Sequence, residues 1–139
     1  VHLSIKDGTP LCLVIFDVDD FKKVNDNYGH LSADRVIQKI AAIVKKAIRN
    51  TDILARWGGD EFVVLLPNSN LFQAKEIAER MRDDIQKNKY DQIEDITCSF
   101  GLARLKENED AEGFMQRADK LLYDAKNLGK NVVCAENAV

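Results

Sequence analysis

The chain has 139 residues, of which 45% are hydrophobic and 31% are charged, and its formal net charge is −3. This length and balance predict one compact domain with its own core, and the lack of a strongly basic run excludes a nucleic-acid-binding platform. The longest apolar run is too short to span a membrane and no signal peptide is visible, so we expect a cytoplasmic domain. Membrane attachment of a longer, full-length protein stays open.

Three cysteines, Cys12, Cys98 and Cys134, lack the C-x-x-C spacing of metal-binding and redox motifs. Each of them lies in an apolar, strand-like context. The pattern therefore predicts three buried free thiols in a reducing compartment.

Apolar periodicity and turn signals predict five strands and four helices in the order β-α-α-β-β-α-β-α-β. After a polar lead-in over about residues 1–10, the predicted strands are 11–17, a hairpin over 53–66, 96–105 and 131–135, and the predicted helices are about 20–27, 32–48, 69–88 and 111–128. Ser69 is expected to cap the third helix, and Gly129 to follow the end of the fourth. This order predicts helices packed on a sheet, in an α/β or α+β fold.

The stretch RWGGDEF at positions 56–62 places two glycines between short apolar runs. Glycine takes a positive φ without steric conflict, so the pair predicts a two-residue type I′ hairpin turn. Asp60 and Glu61 follow, and strand alternation puts their side chains on opposite faces of the sheet. A solvated hairpin tip would show a similar pattern. However, the apolar strand 11–17 also leads into acidic residues, and carboxylates from two neighbouring strand ends form a cage suited to a hard cation.

The strings FDVDDFKKVNDNYGH and RWGGDEF, in this order and at this spacing, resemble the GGDEF-domain family of diguanylate cyclases. The resemblance runs from about Thr9 to Val133 and implies a single GGDEF domain over 1–139. It also implies an α+β fold with the palm-like, ferredoxin-type sheet of class III nucleotidyl cyclases. The family's leading D-x-L-T-x-L-x-N-R motif is missing, so we expect Val1 to be an arbitrary, truncated start. A sensory or receiver domain is expected upstream in a longer protein.

The resemblance implies an enzyme that condenses two GTP into cyclic di-GMP and two pyrophosphates, with Mg²⁺ or Mn²⁺ as cofactor. The implied metal ligands are Asp17, the backbone carbonyl of Val18, and Asp60, a sparse set that suits Mg²⁺. Asp60 is also the expected base for the attacking 3′-hydroxyl, with Glu61 in a weaker catalytic role. Activation by two metal ions is an alternative that needs no dedicated base. Since each site holds one GTP, catalysis requires a homodimer with two facing sites.

The triphosphate is expected at the first turn that contains Phe21 and Lys22. Backbone N–H groups at a helix start hold phosphate, and Lys22 adds a positive charge for the transition state. Lys126 and Lys130 lie in AKNLGKN, which resembles the family's triphosphate-binding A-K-x-x-G-R-N motif. Lys130 replaces the more usual arginine, so a point charge stands in place of a fork of donors. Two acidic residues at the same helix start are expected to act as structural caps: Asp19 and Asp20.

Asn25 and Asp34 match the family positions that read guanine. An amide and a carboxylate together complement the O6 acceptor and the N1 and N2 donors of that base. Taken alone, Asn25 would be read as a helix-end cap and Asp34 as a first-turn helix acid, but the spacing in NDNYGHLSAD favours the guanine site. Ala33 replaces the glycine usual before the aspartate, and a family backbone with positive φ at that position would strain the pocket.

The R-x-x-D sequence from Arg49 to Asp52 lies at the family's distance before Gly58. The resemblance implies an inhibitory site for cyclic di-GMP, in which Arg49 holds guanine or phosphate and Asp52 accepts from guanine. A structural alternative is a favourable positive charge near a helix C-terminus.

Two functions from different classes fit these motifs. The first is the cyclase with product feedback inhibition. The second is a catalytically weak or inactive GGDEF-like module that binds GTP or cyclic di-GMP and signals without turnover. Degenerate members usually lose the central motif, and its retention at positions 58–62 favours the enzyme. An altered nucleotide choice is disfavoured by Asp34, since a side branch of the family that accepts ATP carries serine there.

Overall fold

The computed structural model of the chain describes residues 9–136. Its elements are β1 (Leu11–Val18), α1 (Phe21–Ala47), β2 (Ile53–Arg56), β3 (Glu61–Pro67), α2 (Leu71–Lys87), β4 (Cys98–Arg104), α3 (Ala111–Asn127) and β5 (Val133–Ala135). Residues 1–8 of the expected lead-in lie outside the described part. Between residues 9 and 136, no helix has both the length and the apolar composition needed to cross a bilayer.

The two helices predicted before the hairpin form one element, α1, with a kink. Gly29 has φ 86° and ψ 169°, which are not helical values, so the helical path is broken where the sequence predicts it. Ala33, by contrast, is buried within the second part of α1 and has no positive φ. The expected backbone strain at Ala33 is therefore absent. The positive φ in this part of the chain is at Gly29, where it causes no steric conflict.

The five strands form one sheet in the order β2-β3-β1-β4-β5. The central strand β1 is antiparallel to both β3 and β4, whereas β5 runs parallel to β4. Helices α1 and α2 pack on one face of the sheet and α3 packs on the other. This mixed sheet with helices on both faces confirms the predicted α+β class.

The core on the α1–α2 face is built around three aromatic rings from three adjacent strands. Phe16 stacks on Phe62 and on Phe100, with ring centroids 5.1 Å and 4.9 Å apart. Such pairs add roughly 0.5–1.5 kcal/mol each beyond the area they bury. The last residues of β1 are thereby fixed relative to the starts of β3 and β4.

On the other face, α3 lies directly against β4. A Cβ atom placed on Gly101 would lie 2.2 Å from the carbonyl oxygen of Ala118 and 2.4 Å from the nitrogen of Leu122. Only glycine allows this approach of helix to strand. The position of α3 over the sheet, and of the residues at its C-terminal end, is thus set by backbone contact.

The helix caps correct one prediction and confirm another. Asn70, not Ser69, caps α2, and it forms a reciprocal capping box with Gln73. Gly129 follows α3 with φ 113°, as expected of a residue that ends a helix in the left-handed region.

All three cysteines are free thiols, as predicted, but they are not equally buried. Cys12 and Cys98 are buried, whereas Cys134 on the edge strand β5 is half-buried. Burial raises the pKa of the Cys12 thiol to about 12. Cys12 therefore stays protonated and packs as a small apolar side chain.

Candidate active site

The strand register brings the predicted metal ligands together at one end of the sheet. Asp17 of β1 lies opposite Glu61 of β3 and opposite Ser99 of β4. The next residue, Val18, donates its backbone N–H to the carbonyl oxygen of Asp60 at 3.3 Å. The end of β1 and the start of β3 thus form one acidic corner.

The hairpin between β2 and β3 is not the predicted two-residue type I′ turn. Neither Gly58 nor Gly59 has a positive φ. The backbone N–H groups of Trp57 and Gly58 both donate to the Glu61 carbonyl oxygen, at 2.8 Å and 3.2 Å. The Arg56 guanidinium donates to the carbonyl oxygens of Gly58 and Gly59, at 3.2 Å and 2.6 Å. Because a side chain satisfies these carbonyls, a wider loop replaces the tight turn.

Absence of side chains at the two glycines leaves free space above the hairpin. Among residues 9–136, a Cβ atom on Gly59 would meet nothing within 4 Å, and one on Gly58 would meet only the Glu61 Cβ atom, at 3.7 Å. Neither packing against the described residues nor a positive φ requires glycine here. The open backbone is therefore available for close approach by another molecule.

The acidic corner holds more negative than positive charge. Burial raises the pKa of Asp17, and the nearby charges of Asp60 and Asp19 raise it further, while contact with Lys126 opposes the shift. The pKa of Glu61 is also raised, first by burial and then by Asp119, Asp17 and Asp60. An added cation would relieve this repulsion.

Lys126, near the C-terminal end of α3, reaches back to the end of β1. Its ammonium group contacts Asp17 and lies 2.8 Å from Asp19 Oδ1. Burial alone would lower the pKa of Lys126, but hydrogen bonds and charges from the two aspartates outweigh it and raise the pKa. Lys126 is thus a fixed cation beside the predicted metal ligands.

Asp19 is not the helix cap that the sequence predicts. It is 6% exposed, and its carboxylate accepts hydrogen bonds from Thr97 Oγ1 at 2.7 Å and from Ser99 Oγ at 2.6 Å. It also accepts the backbone N–H of Asn131 at 3.0 Å. Sequence reasoning missed this cluster, although Thr97 and Ser99, near the start of the predicted strand 96–105, were a usable signal.

Asp20 occupies the N-cap position of α1, but its side chain does not cap the helix. Its backbone is left-handed, with φ 56° and ψ 34°, and the side chain makes no capping hydrogen bond. Instead, Lys130 Nζ donates to Asp20 Oδ1 at 2.7 Å, and this hydrogen bond lowers the pKa of Asp20. The structure therefore brings Lys130 to the start of α1, close to Phe21 and Lys22.

The predicted guanine-reading residues lie on either side of the kink at Gly29. Asn25 is half-buried, and its Oδ1 atom is buried without a hydrogen-bond partner among residues 9–136. Asp34 is exposed. An unpaired buried acceptor is unfavourable by about 1–3 kcal/mol, so a ligand that donates to it would be stabilised.

Arg49 and Asp52 lie at the opposite end of the sheet. Arg49 donates to Asp52 Oδ1 and Oδ2, and its Nη2 atom also donates to Pro67 O at 3.1 Å and Ser69 Oγ at 2.6 Å. The Asp52 side chain is 0% exposed and the Arg49 side chain is 40% exposed. Since Pro67 and Glu61 are the two ends of β3, this cluster lies roughly 20 Å from the acidic corner.

No three histidine, cysteine, aspartate or glutamate side chains within residues 9–136 converge on a point suited to a metal ion. The predicted site is sparser than such a cluster. It offers the carboxylates of Asp17 and Asp60 and the carbonyl oxygen of Val18, and it leaves the remaining positions to water and substrate.

Comparison with known proteins agrees with this geometry. The sequence model of the family described as "Diguanylate cyclase, GGDEF domain" matches residues 2–132. Diguanylate cyclase DgcP of Pseudomonas aeruginosa is 40% identical over 129 residues, which are 91% of this chain and 19% of DgcP. The chain therefore spans about a fifth of the length of this curated relative.

Solved structures show the same fold. The GGDEF domain of DgcB from Caulobacter crescentus, solved in complex with cyclic di-GMP, has a TM-score of 0.86 at 34% identity and covers 92% of this chain and 78% of that one. Diguanylate cyclase SiaD of Pseudomonas aeruginosa, solved with its activator SiaC, has a TM-score of 0.87 at 35% identity, over 94% of this chain and 52% of that one. With a sequence match over nearly its whole length, the chain belongs to the GGDEF domain family of diguanylate cyclases.

Proposed function

We propose that this domain condenses two molecules of GTP into cyclic di-GMP and releases two pyrophosphates. One observation carries the proposal. Asp17 and the GGDEF hairpin meet through the hydrogen bond from Val18 to Asp60, and Lys126 faces the same corner. A member of this family that had lost catalysis would not need to keep acidic and basic groups in this arrangement.

The corner fits a divalent cation. Carboxylate and carbonyl oxygens are the ligands that Mg²⁺ and Mn²⁺ prefer, and burial, together with the charges of Asp60 and Asp19, raises the pKa of Asp17 despite its contact with Lys126. Asp17, Asp60 and the Val18 carbonyl would hold the ion. When bound, the ion neutralises charge that develops on the phosphates.

The start of α1 is suited to the triphosphate. The first backbone hydrogen bonds of α1 run from Lys23 and Val24 to the Asp20 carbonyl oxygen. No acceptor among the described residues takes the N–H groups of Phe21 or Lys22. Unpaired N–H groups at the positive end of a helix favour an anion.

Three lysines can add positive charge at the same place. Lys22 lies in the first turn of α1, and the ammonium groups of Lys126 and Lys130 contact Asp19 and Asp20 just before it. All three can therefore neutralise phosphate oxygens, and Lys22 is assigned to charge that builds up in the transition state.

The guanine base is assigned to the kinked part of α1. The unpaired Asn25 Oδ1 can accept from a guanine N–H group, and the Asp34 carboxylate can accept from N1 and N2 together. Adenine offers no N1 donor, so this pair discriminates between the two purines.

Bond formation requires two copies of the domain. The 3′-oxygen of one GTP bonds to the α-phosphorus of the other, pyrophosphate leaves, and the hydroxyl proton passes to a carboxylate of the acidic corner. Asp60 is the assigned acceptor, and the raised pKa of Glu61 supports a secondary role in proton transfer. Two such steps close the ring, so the copies must face each other in an isologous dimer.

Feedback inhibition is assigned to the cluster around Arg49. Its guanidinium is the exposed part of the cluster, whereas Asp52 is enclosed and holds Arg49 in place through its two carboxylate oxygens. In this arrangement Arg49 would contact the product and Asp52 would orient Arg49. An orientated guanidinium loses less entropy on binding guanine or phosphate.

The test is incubation of the domain, and of a longer form of the protein, with GTP and MgCl₂, followed by chromatography of the nucleotides. Cyclic di-GMP and pyrophosphate in a 1:2 ratio would support the proposal. Binding of GTP without turnover by both forms would favour the second candidate, a signalling module. Lys130, which pairs with Asp20, stands where the family more often has arginine. This departure is the observation that favours the second candidate.

A further inference from the structure

Asp19 follows the end of β1, and the proposed reaction assigns it no role. Its side chain is 4% exposed, although it lies two residues after a predicted metal ligand. A buried carboxylate is strongly unfavourable unless it is paired and hydrogen-bonded. Its partners therefore indicate what it does.

The four partners of the Asp19 carboxylate come from elements that are far apart in the sequence. Thr97 directly precedes β4 and Ser99 is the second residue of that strand, whereas Lys126 lies at the end of α3 and Asn131 in the loop after α3. Oδ1 accepts from Ser99 and Lys126, and Oδ2 accepts from Thr97 and Asn131. Asp19 thus ties β1, β4 and the α3–β5 loop together.

The same four hydrogen bonds distinguish Asp19 from Asp17. An ionised carboxylate offers about four lone-pair sites, and all four on Asp19 are in use. Asp19 has no site left for a cation in this arrangement, whereas the contact of Asp17 described above is with Lys126.

The loop held by Asp19 carries Lys130, another of the three lysines assigned to the triphosphate. Lys130 and Asn131 both have left-handed backbones, with φ of 68° and 50°. The Asn131 N–H donates to Asp19 Oδ2 and also to Ser99 Oγ, each at 3.0 Å. These bonds hold a loop conformation that non-glycine residues adopt reluctantly.

We propose that Asp19 is a positioning residue that fixes the Lys126 ammonium and the Lys130–Asn131 loop where both lysines can meet the triphosphate. The inference rests on the proposed function, because it assigns those lysines to GTP. It predicts that loss of the Asp19 charge weakens binding of the β- and γ-phosphates and leaves binding of the nucleoside part intact.

The experiment compares two probes that lack the attacking hydroxyl, 3′-deoxy-GTP and 3′-deoxy-GMP, by calorimetric titration with MgCl₂ present. The measured quantity is the ratio of their affinities. Asp19→Asn should lower this ratio about tenfold, which corresponds to loss of one charge-assisted hydrogen bond to phosphate. A general loss of negative charge near the site would raise triphosphate affinity instead, so the sign of the change separates positioning from bulk electrostatics.

A double-mutant cycle shows whether Asp19 acts through Lys126. Lys126→Ala should lower the ratio on its own, and adding Asp19→Asn to it should lower the ratio further by less than Asp19→Asn does in the native domain, because only the route through the Lys130–Asn131 loop remains. Independent, multiplicative effects would overturn the proposal. So would an unchanged or increased ratio in folded Asp19→Asn.

Asp83→Asn is the matched control. It removes a carboxylate that pairs with Lys87 at 3.3 Å on the exposed face of α2, and it should leave the ratio unchanged. If Asp19→Asn does not fold, Ser99→Ala decides, because it releases both Asp19 Oδ1 and the Asn131 N–H but keeps every charge. A lowered ratio in that variant supports the proposal and an unchanged one overturns it.

The result for the native domain separates the inference from the function on which it rests. A native domain that binds neither probe would overturn the proposed function and the inference with it. A native domain that prefers 3′-deoxy-GTP, with the same preference in Asp19→Asn, would overturn the inference alone.

Discussion

The two ends of β3 hold their charged groups in different ways. At the Pro67 end, Arg49 and Asp52 satisfy each other, and the remaining donors of Arg49 reach Ser69 and the Pro67 carbonyl. At the Glu61 end, burial and mutual repulsion raise the pKa of Asp17 and of Glu61. The charged groups at the Pro67 end are paired with each other, whereas the carboxylates at the Glu61 end outnumber the cations that contact them.

This difference indicates what each end contributes. Closed polar clusters stabilise the native chain, and their disruption leaves buried charge unpaired. Under-compensated clusters reduce stability and are typical of sites that bind or react. Substitutions at the Glu61 end should therefore change function with little loss of stability, whereas substitutions at the Pro67 end should change both.

The largest effect is expected for Asp60→Ala. Synthesis of cyclic di-GMP should fall at least about a thousandfold, since a proposed metal ligand and base is lost. The melting temperature should change little, because the bond from Val18 uses the Asp60 backbone carbonyl, which alanine retains. Product chromatography and thermal melting measure the two quantities. Near-native turnover would show that the metal assignment is wrong.

Arg49→Ala should affect regulation and stability together. Truncation leaves the Asp52 carboxylate buried without its guanidinium partner, so the free energy of unfolding should drop by about 2–4 kcal/mol. Cyclic di-GMP affinity should fall at least about tenfold, while the initial rate stays near native.

Urea unfolding, calorimetric titration of cyclic di-GMP and GTP progress curves measure these effects. Lys45→Ala, at an exposed position near the end of α1, is the control for loss of a nearby positive charge. Equal cyclic di-GMP affinity in native and Arg49→Ala protein would restrict Arg49 to its structural role.

Asp34→Ser should relax the choice of base. The variant lacks a carboxylate for guanine N1 and N2, so the preference for GTP over ATP should fall about tenfold, with thermal stability unchanged because Asp34 is exposed. Competition binding with the two nucleotides measures the preference. If selectivity stays intact, guanine is read elsewhere.

The smallest effect is expected for Glu61→Gln, and its sign is opposite to that for Arg49. The pKa of Glu61 is raised above its ordinary 4.5, so the folded state holds the proton more tightly than the unfolded state does. Native stability therefore falls, relative to the variant, as pH rises from 4.5 through the raised pKa, and the difference is constant above it.

Paired thermal melts at several pH values measure this difference. The glutamine variant should melt slightly higher than the native domain at neutral pH and equally at low pH. A lower melting temperature at neutral pH would contradict an under-compensated corner.

The sequence predicts the order of the elements well, because strand alternation and helix periodicity are local patterns. The palm-like sheet that brings Asp17 near Asp60 was expected from the resemblance to the GGDEF family. The turn type is missed because the Arg56 side chain takes over carbonyls that a tight turn would leave to the backbone. Asn70 and Ser69 are both good N-cap residues, but Gln73 completes a capping box with Asn70, while the Ser69 hydroxyl accepts from Arg49.

The role of Asp19 could not be predicted in the same way. Its partners lie 78 to 112 residues further along the chain, and no local pattern connects positions so distant. A short carboxylate just before a helix looks like a cap whenever its long-range contacts are unknown. Burial, which the sequence does not show for a single polar residue, is what identifies it.

The close contact of α3 with Gly101 determines how the helix is oriented on the sheet. Ala118 and Leu122 rest on β4 at this glycine, and Lys126 lies one helical turn further on. Any side chain at position 101 would clash with the α3 backbone, displace the helix and move Lys126 away from β1. The absence of a side chain at one strand residue thus determines whether the Lys126 ammonium reaches Asp17 and Asp19.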